Sequence, residues 1–188
     1  MTPITDSTQV ERYRALVRRM LLSEDEKEYE FSPGVLRERG WKAVPVASGM
    51  RLPADCIPRV VSALKGLGCS ECIVMVSEAG YLQPLRPENT LFDGGATCYQ
   101  LSIQESEFLA FNCKLGPFRS ILTDAANSWT ISCNEWYNLF AGDPGLVEAF
   151  LGEPIAQARE EFLEFALTLA KGNPHEPLMQ VATQYAAF

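Results

Sequence analysis

The chain has a single histidine, His175, among its 188 residues. One imidazole excludes the two-histidine zinc protease motif and any site built from several imidazoles. Phosphate-binding loops are also missing. Gly66-Leu67-Gly68 is too short for a dinucleotide fingerprint and ends a predicted helix instead of opening one. There is no G-x-x-x-x-G-K-[ST] and no G-x-S-x-G elbow. No apolar run approaches the roughly 18 residues that a membrane-spanning helix needs. Met1 to Asp6 has neither a basic nor an apolar stretch of the signal-peptide kind, and the last five residues are not a prenylation box. The expectation is a cytoplasmic protein with no membrane association.

Positive charge is scarce where the chain is longest. The net charge is −8, and residues 1–50 balance to zero. Past residue 100, four basic residues (Lys114, Arg119, Arg159 and Lys171) face eleven acidic ones. Such a surface repels a phosphate backbone, so nucleic acid is not expected as a direct partner, whereas a basic protein is compatible with it.

Six cysteines are present: Cys56, Cys69, Cys72, Cys98, Cys113 and Cys133. With a cytosolic setting expected, they read as reduced thiols, most of them in apolar stretches where cysteine behaves as a small hydrophobe. Cys69-Ser70-Glu71-Cys72 is an isolated C-x-x-C. Structural zinc wants four ligands, and a thioredoxin-type pair would follow a strand and open a helix. Here the order is helix, glycine turn, pair, strand. No cofactor and no metal are expected. A cysteine–histidine nucleophilic pair of His175 with Cys133 or Cys113 would need the Asn173–Pro177 loop to fold back onto the body of the chain.

Hydrophobic content is 47% and charged content 21%, which is ordinary for a globular protein, and 188 residues suit one domain spanning 1–188. Thr8 and Glu11 have capping-box spacing ahead of a helix carried by Val10, Tyr13, Val17, Met20 and Leu21. Val35 to Arg39 suggests one helical turn ending at Gly40. Trp41 to Val46 reads as an edge strand, because Pro45 would spoil a central one. Asp55 to Lys65 reads as a helix capped by Asp55, and Cys72 to Val76 as a strand buried on both faces. Tyr99 to Ile103 alternates with period two. Glu107 to Asn112 fits either strand or helix. Phe118 to Thr123 and Trp129 to Cys133 are further strands, giving an antiparallel meander. Asp143-Pro144 and Pro154 each start a helix, the second taken as the last, and Gly152 separates them. The predicted fold is α+β, a two-layer domain with an antiparallel sheet of about four to six strands and N- and C-terminal helices packed on it.

The densest aromatic stretch is Ser128 to Asp143, where Trp136, Tyr137 and Phe140 are placed in or near a strand-to-helix connection beside Glu135 and Asp143. Aromatic rings next to acidic and amide groups suit a binding hot spot, and they also suit a cap on the core below the last helices. The composition resembles that of bacterial accessory proteins of the immunity or adaptor kind. The expected function is therefore non-catalytic recognition of a protein partner by an acidic, aromatic-containing surface. Alternatives are a small-molecule-binding, sensor-like domain and a cysteine-dependent enzyme.

Overall fold

A computed structural model describes residues 1–22, 30–77, 98–114, 119–170 and 176–187. The acidic stretch Glu24–Glu26, the turn Asp93-Gly94-Gly95 and His175 lie outside these residues. The α+β class and the antiparallel sheet hold. The elements run β1 (Thr2–Pro3), α1 (Ser7–Arg18), α2 (Pro33–Arg39), β2 (Lys42–Ala47), α3 (Ile57–Gly66), β3 (Glu71–Ser77), β4 (Cys98–Ser102), α4 (Glu105–Lys114), β5 (Arg119–Thr123), β6 (Thr130–Cys133), β7 (Tyr137–Gly142), α5 (Pro144–Leu151), α6 (Ile155–Ala170) and α7 (Glu176–Ala186).

One sheet of seven strands, wider than the expected four to six, has the order β1-β4-β3-β5-β6-β7-β2, with every pair antiparallel. Strands β5, β6 and β7 form an antiparallel meander, which contains the strands expected at 118–123 and 129–133. β4 and β5 both pair with β3, so they run parallel to each other, and α4 carries the chain between them. Glu107 to Asn112 is thus helical, and Tyr137 to Gly142 is a strand instead of a connection.

Helices cover both faces of the sheet, not one. Val44, Val74, Leu122, Ile131 and Phe140 pack with α3, α4 and α5. Ala43, Ile73, Ile121, Tyr137 and Leu139 pack with α1, α2, α6 and α7. β3 and β7 are packed by apolar cores on both sides, which is why they read as near-continuous apolar runs. Helix α7 supplies much of the second cover through Leu178, Val181 and Tyr185. The Tyr185 hydroxyl accepts from Phe31 N at 2.8 Å and donates to Phe31 O at 3.0 Å. A single side chain thereby satisfies two buried backbone groups 154 residues away.

The helix ends follow local chemistry. Asp6, not Thr8, caps α1, accepting from Thr8 N and Gln9 N at 2.8 and 3.0 Å. Asp55 does not cap α3, whose N-cap is Cys56. Asp143 does cap α5, accepting from Gly145 N at 3.0 Å. Gly40 and Gly152 end their helices with φ of 65° and 78°.

β2 is an edge strand, as Pro45 implied. Its outward carbonyl at Ala43 accepts from the Arg159 guanidinium at 3.2 Å, and Pro45 offers no N–H. The edge is therefore closed to further strands by a side chain and a proline. Among the described residues no helix is long and apolar enough to cross a membrane.

Candidate functional site at the acidic edge

The five residues singled out from the sequence do not converge. Trp136 and Glu135 sit at the tip of the β6–β7 hairpin. Trp136 is 45% exposed, and Glu135 pairs with the nearly buried Arg119 at 3.2 Å. Tyr137 is buried on the α6 side, its ring edge-on to Phe162 and its hydroxyl donating to Glu30 at 3.3 Å. Phe140 is buried on the opposite face, tilted against Phe150. Asp143 lies at the far end of β7, where it caps α5. A six-residue strand is about 20 Å long, so Trp136 and Asp143 cannot share a contact surface. Alternation along β7 separates Tyr137 from Phe140, because odd and even positions point to opposite faces.

The acidity does converge. Helices α5 and α6 meet at Gly152-Glu153-Pro154, beside β2. The left-handed Gly152 lets Arg59 of α3 pack over the turn: a Cβ there would fall 2.6 Å from Arg59 Cδ. Two apolar hollows open on either side of α6. The first, about 300 Å³, has Pro45, Phe162, Leu163, Ala182 and Ala186 in its walls and Arg159 and Glu160 at its rim. The second, about 210 Å³, is floored by Val46, Phe140, Phe150 and Leu151 and rimmed by Asp55, Arg59, Glu153 and Glu161. Pro45 and Val46 are adjacent in β2, so the hollows lie on opposite faces of the same edge strand. Of the candidate residues, Phe140 alone belongs to them.

The cations of this edge are engaged. The Arg59 guanidinium donates to Phe150 O at 3.4 Å and meets Asp55 at 3.5 Å. Arg159 is committed to Ala43 O, and loss of solvent lowers its pKa. The Glu153 carboxyl is pushed up, first by burial and then by the Glu161 charge, with Arg59 opposing. Glu160, Glu161 and Glu164 stay exposed, as do Leu163 (40%) and Leu167 (50%) one turn apart. The sequence signals were present: Leu163 and Leu167 widen the apolar stripe of α6 beyond what the core uses, and the glutamates lie beside them.

A second unusual region lies under the hairpin. All buried polar side chains among the described residues fall between Arg119 and Asn138. Those near the β5–β6 turn are satisfied: Thr123 donates to Trp129 O at 2.6 Å, and Thr130 donates to Asn127 Oδ1 at 3.0 Å. Those near the β6–β7 tip are less so. Asn138 Nδ2 donates to Arg51 O (2.8 Å), and Asn112 Nδ2 to Leu52 O (2.7 Å), pinning consecutive carbonyls of the loop before α3. The Oδ1 atoms of both asparagines have no hydrogen-bond partner, and Ser120 Oγ meets only the weak Cys133 thiol.

The buried thiols Cys56, Cys72, Cys98 and Cys133 show no activating environment. Burial pushes Cys56, Cys98 and Cys133 up to about 12 and raises Cys72 further. A thiol held protonated is a poor nucleophile at neutral pH. All six cysteines are free, including Cys69 and Cys72. Among the described residues no group of three or more histidine, cysteine or carboxylate side chains is placed to hold a metal. No protein-family model matches the chain, and no match emerges from the curated proteins or from the solved structures.

Proposed function

We propose that the chain is a non-catalytic binding protein that recognises a basic protein partner through the β2 edge. The observation that carries this reading is the pair of apolar hollows flanking α6, rimmed by Glu153, Glu160 and Glu161, with Arg59 and Arg159 already committed to backbone carbonyls. Apolar floors supply affinity by burial, and an acidic rim supplies orientation and on-rate toward a basic surface. The hairpin tip with Trp136 and Glu135 is a smaller candidate surface, and Tyr137 contributes to the core behind it.

The test is quantitative capture by the wild-type chain, by Glu160→Lys/Glu161→Lys/Glu164→Lys, and by a control Glu105→Lys on exposed α4. A specific partner is retained by wild type and control and lost from the triple variant, and its capture weakens with added salt. Equal recovery by the triple variant refutes the role of this edge.

A small-molecule role has one observation in its favour, the unpartnered acceptors Asn112 Oδ1 and Asn138 Oδ1. Buried acceptors without donors suit a ligand with N–H groups. Thermal shift against amines, amides and nucleobases tests it. A ligand at about 100 times its Kd adds roughly 2.7 kcal/mol, and a panel without any shift counts against the reading.

A further inference from the structure

We propose that the hollow between α6 and α7 is the seat of a basic amphipathic α-helix, an inference that rests on the binding role of the acidic edge and adds the shape of its occupant. The backbone available at this edge decides between an extended and a helical guest. A strand added to β2 needs the outward N–H and C=O groups of alternate residues. Ala43 O is already taken by Arg159, and Pro45 has no N–H, so the ladder is broken at two successive outward positions. The remaining walls are α6 and α7, which as helices offer no ladder of alternating N–H and C=O groups for a strand to pair with. A guest here must bring its own backbone hydrogen bonds, which a helix does and an extended segment does not.

The side chains fit the same guest. Leu163 and Leu167 present a two-residue apolar ridge along α6. Across the hollow, Ala182, Thr183 and Ala186 of α7 are small enough for a third helix to approach closely. Glu160 and Glu164 are exposed along one side of the ridge, where lysine or arginine on the guest's polar side would meet them.

The probe is a labelled 18-residue leucine–lysine peptide with leucines at helical spacing. Two comparison peptides have the same composition at period two, or glutamate in place of lysine. Fluorescence anisotropy with the full chain reads binding. The helical basic peptide is expected to bind in a salt-sensitive way. Its affinity should fall about tenfold or more with Leu163→Asp, an exposed position whose folding is checked by circular dichroism. The period-two peptide and the acidic peptide should bind at least about tenfold more weakly. No binding of the helical peptide, or binding indifferent to Leu163→Asp, overturns the seat. Should the period-two peptide bind equally well, yet be lost in the Glu160/Glu161/Glu164 reversal, the helical guest is refuted while the acidic-edge reading stands.

Discussion

Ser120 and Thr123 lie on the same strand, both essentially inaccessible, and differ in one respect: how good an acceptor the hydroxyl meets. Thr123 Oγ1 is 2.6 Å from Trp129 O and 3.1 Å from Asn127 Oδ1. Replacing it with valine keeps the shape and leaves Trp129 O without this donor in a dry turn. A buried group left unpaired costs about 1–3 kcal/mol, offset in part by the more apolar side chain, so a net loss of about 1–2 kcal/mol is expected. Ser120 Oγ has only the Cys133 thiol opposite it in the register, a weak partner. Its desolvation is already a cost in the native state. Ser120→Ala removes that cost together with one atom of packing, and should lie within about 0.5 kcal/mol of wild type or be stabilising. For a chain of this size 1 kcal/mol moves Tm by roughly 2–4 °C, so the two variants separate in one thermal scan, with urea unfolding as the check. A Ser120→Ala loss equal to or larger than the Thr123→Val loss would refute the assignment of Ser120 as poorly satisfied.

Gly40→Ala and Gly152→Ala both force a side chain into a left-handed position, but only Gly152 has Arg59 within reach of a new Cβ. The first should cost about 1 kcal/mol from backbone strain alone, and the second distinctly more; equal losses in urea unfolding would show that Arg59 moves freely. Tyr185→Phe strips the partner from both Phe31 N and Phe31 O and should cost about 2–4 kcal/mol, far above the usual effect of losing one hydroxyl; a loss below about 0.5 kcal/mol would show that water replaces it. Cys56, Cys98 and Cys133 titrate near 12 when folded against about 9 for an ordinary thiol. Between those values the folded chain holds protons that the unfolded chain releases. Stability is unaffected by these groups below pH 9 and falls above it by up to about 1.4 kcal/mol per pH unit and thiol. Urea midpoints from pH 8 to 10.5 should show the decline, shallower in Cys133→Ala, and a flat profile would contradict it.

The elements legible in the sequence are those whose local chemistry acts alone. The αL glycine after α2, Asp143-Pro144 at α5, Pro45 at the edge and the alternation of β6 each carry their signal within a few residues. The misreadings share a cause. β7 was read as a connection because burial on both faces erased its alternation. α4 has Phe108 and Phe111 inward but Leu109 44% exposed, which blurs its period. Thr8-x-x-Glu11 imitated a capping box while Asp6, two residues earlier, made the contacts. For α7 the signal existed, since Leu178, Val181, Ala182 and Tyr185 keep helical spacing. Pro174 and Pro177, just ahead of Leu178, are turn signals that mask that spacing.

The aromatic cluster misled as a guide to a single site because sequence density is not surface density. Consecutive residues of a buried strand point apart, so Tyr137 and Phe140 went to separate cores and only Trp136, in the hairpin turn, kept a large exposed ring. Charge behaves differently. A glutamate pays so much for burial that its place in the sequence nearly fixes its place at the surface. The acidic bias of the second half therefore carried more information about the site than the aromatics did. It marked α5 and α6, and the fold wraps these two helices around one strand edge. There the exposed Leu163 and Leu167 are the observation that charge alone does not explain. A purely solvating acidic face has no use for two leucines one turn apart. Their replacement by glutamine should leave stability within about 0.5 kcal/mol of wild type if they serve a partner, whereas a loss above about 1 kcal/mol would return them to the core and remove the reason for a binding edge.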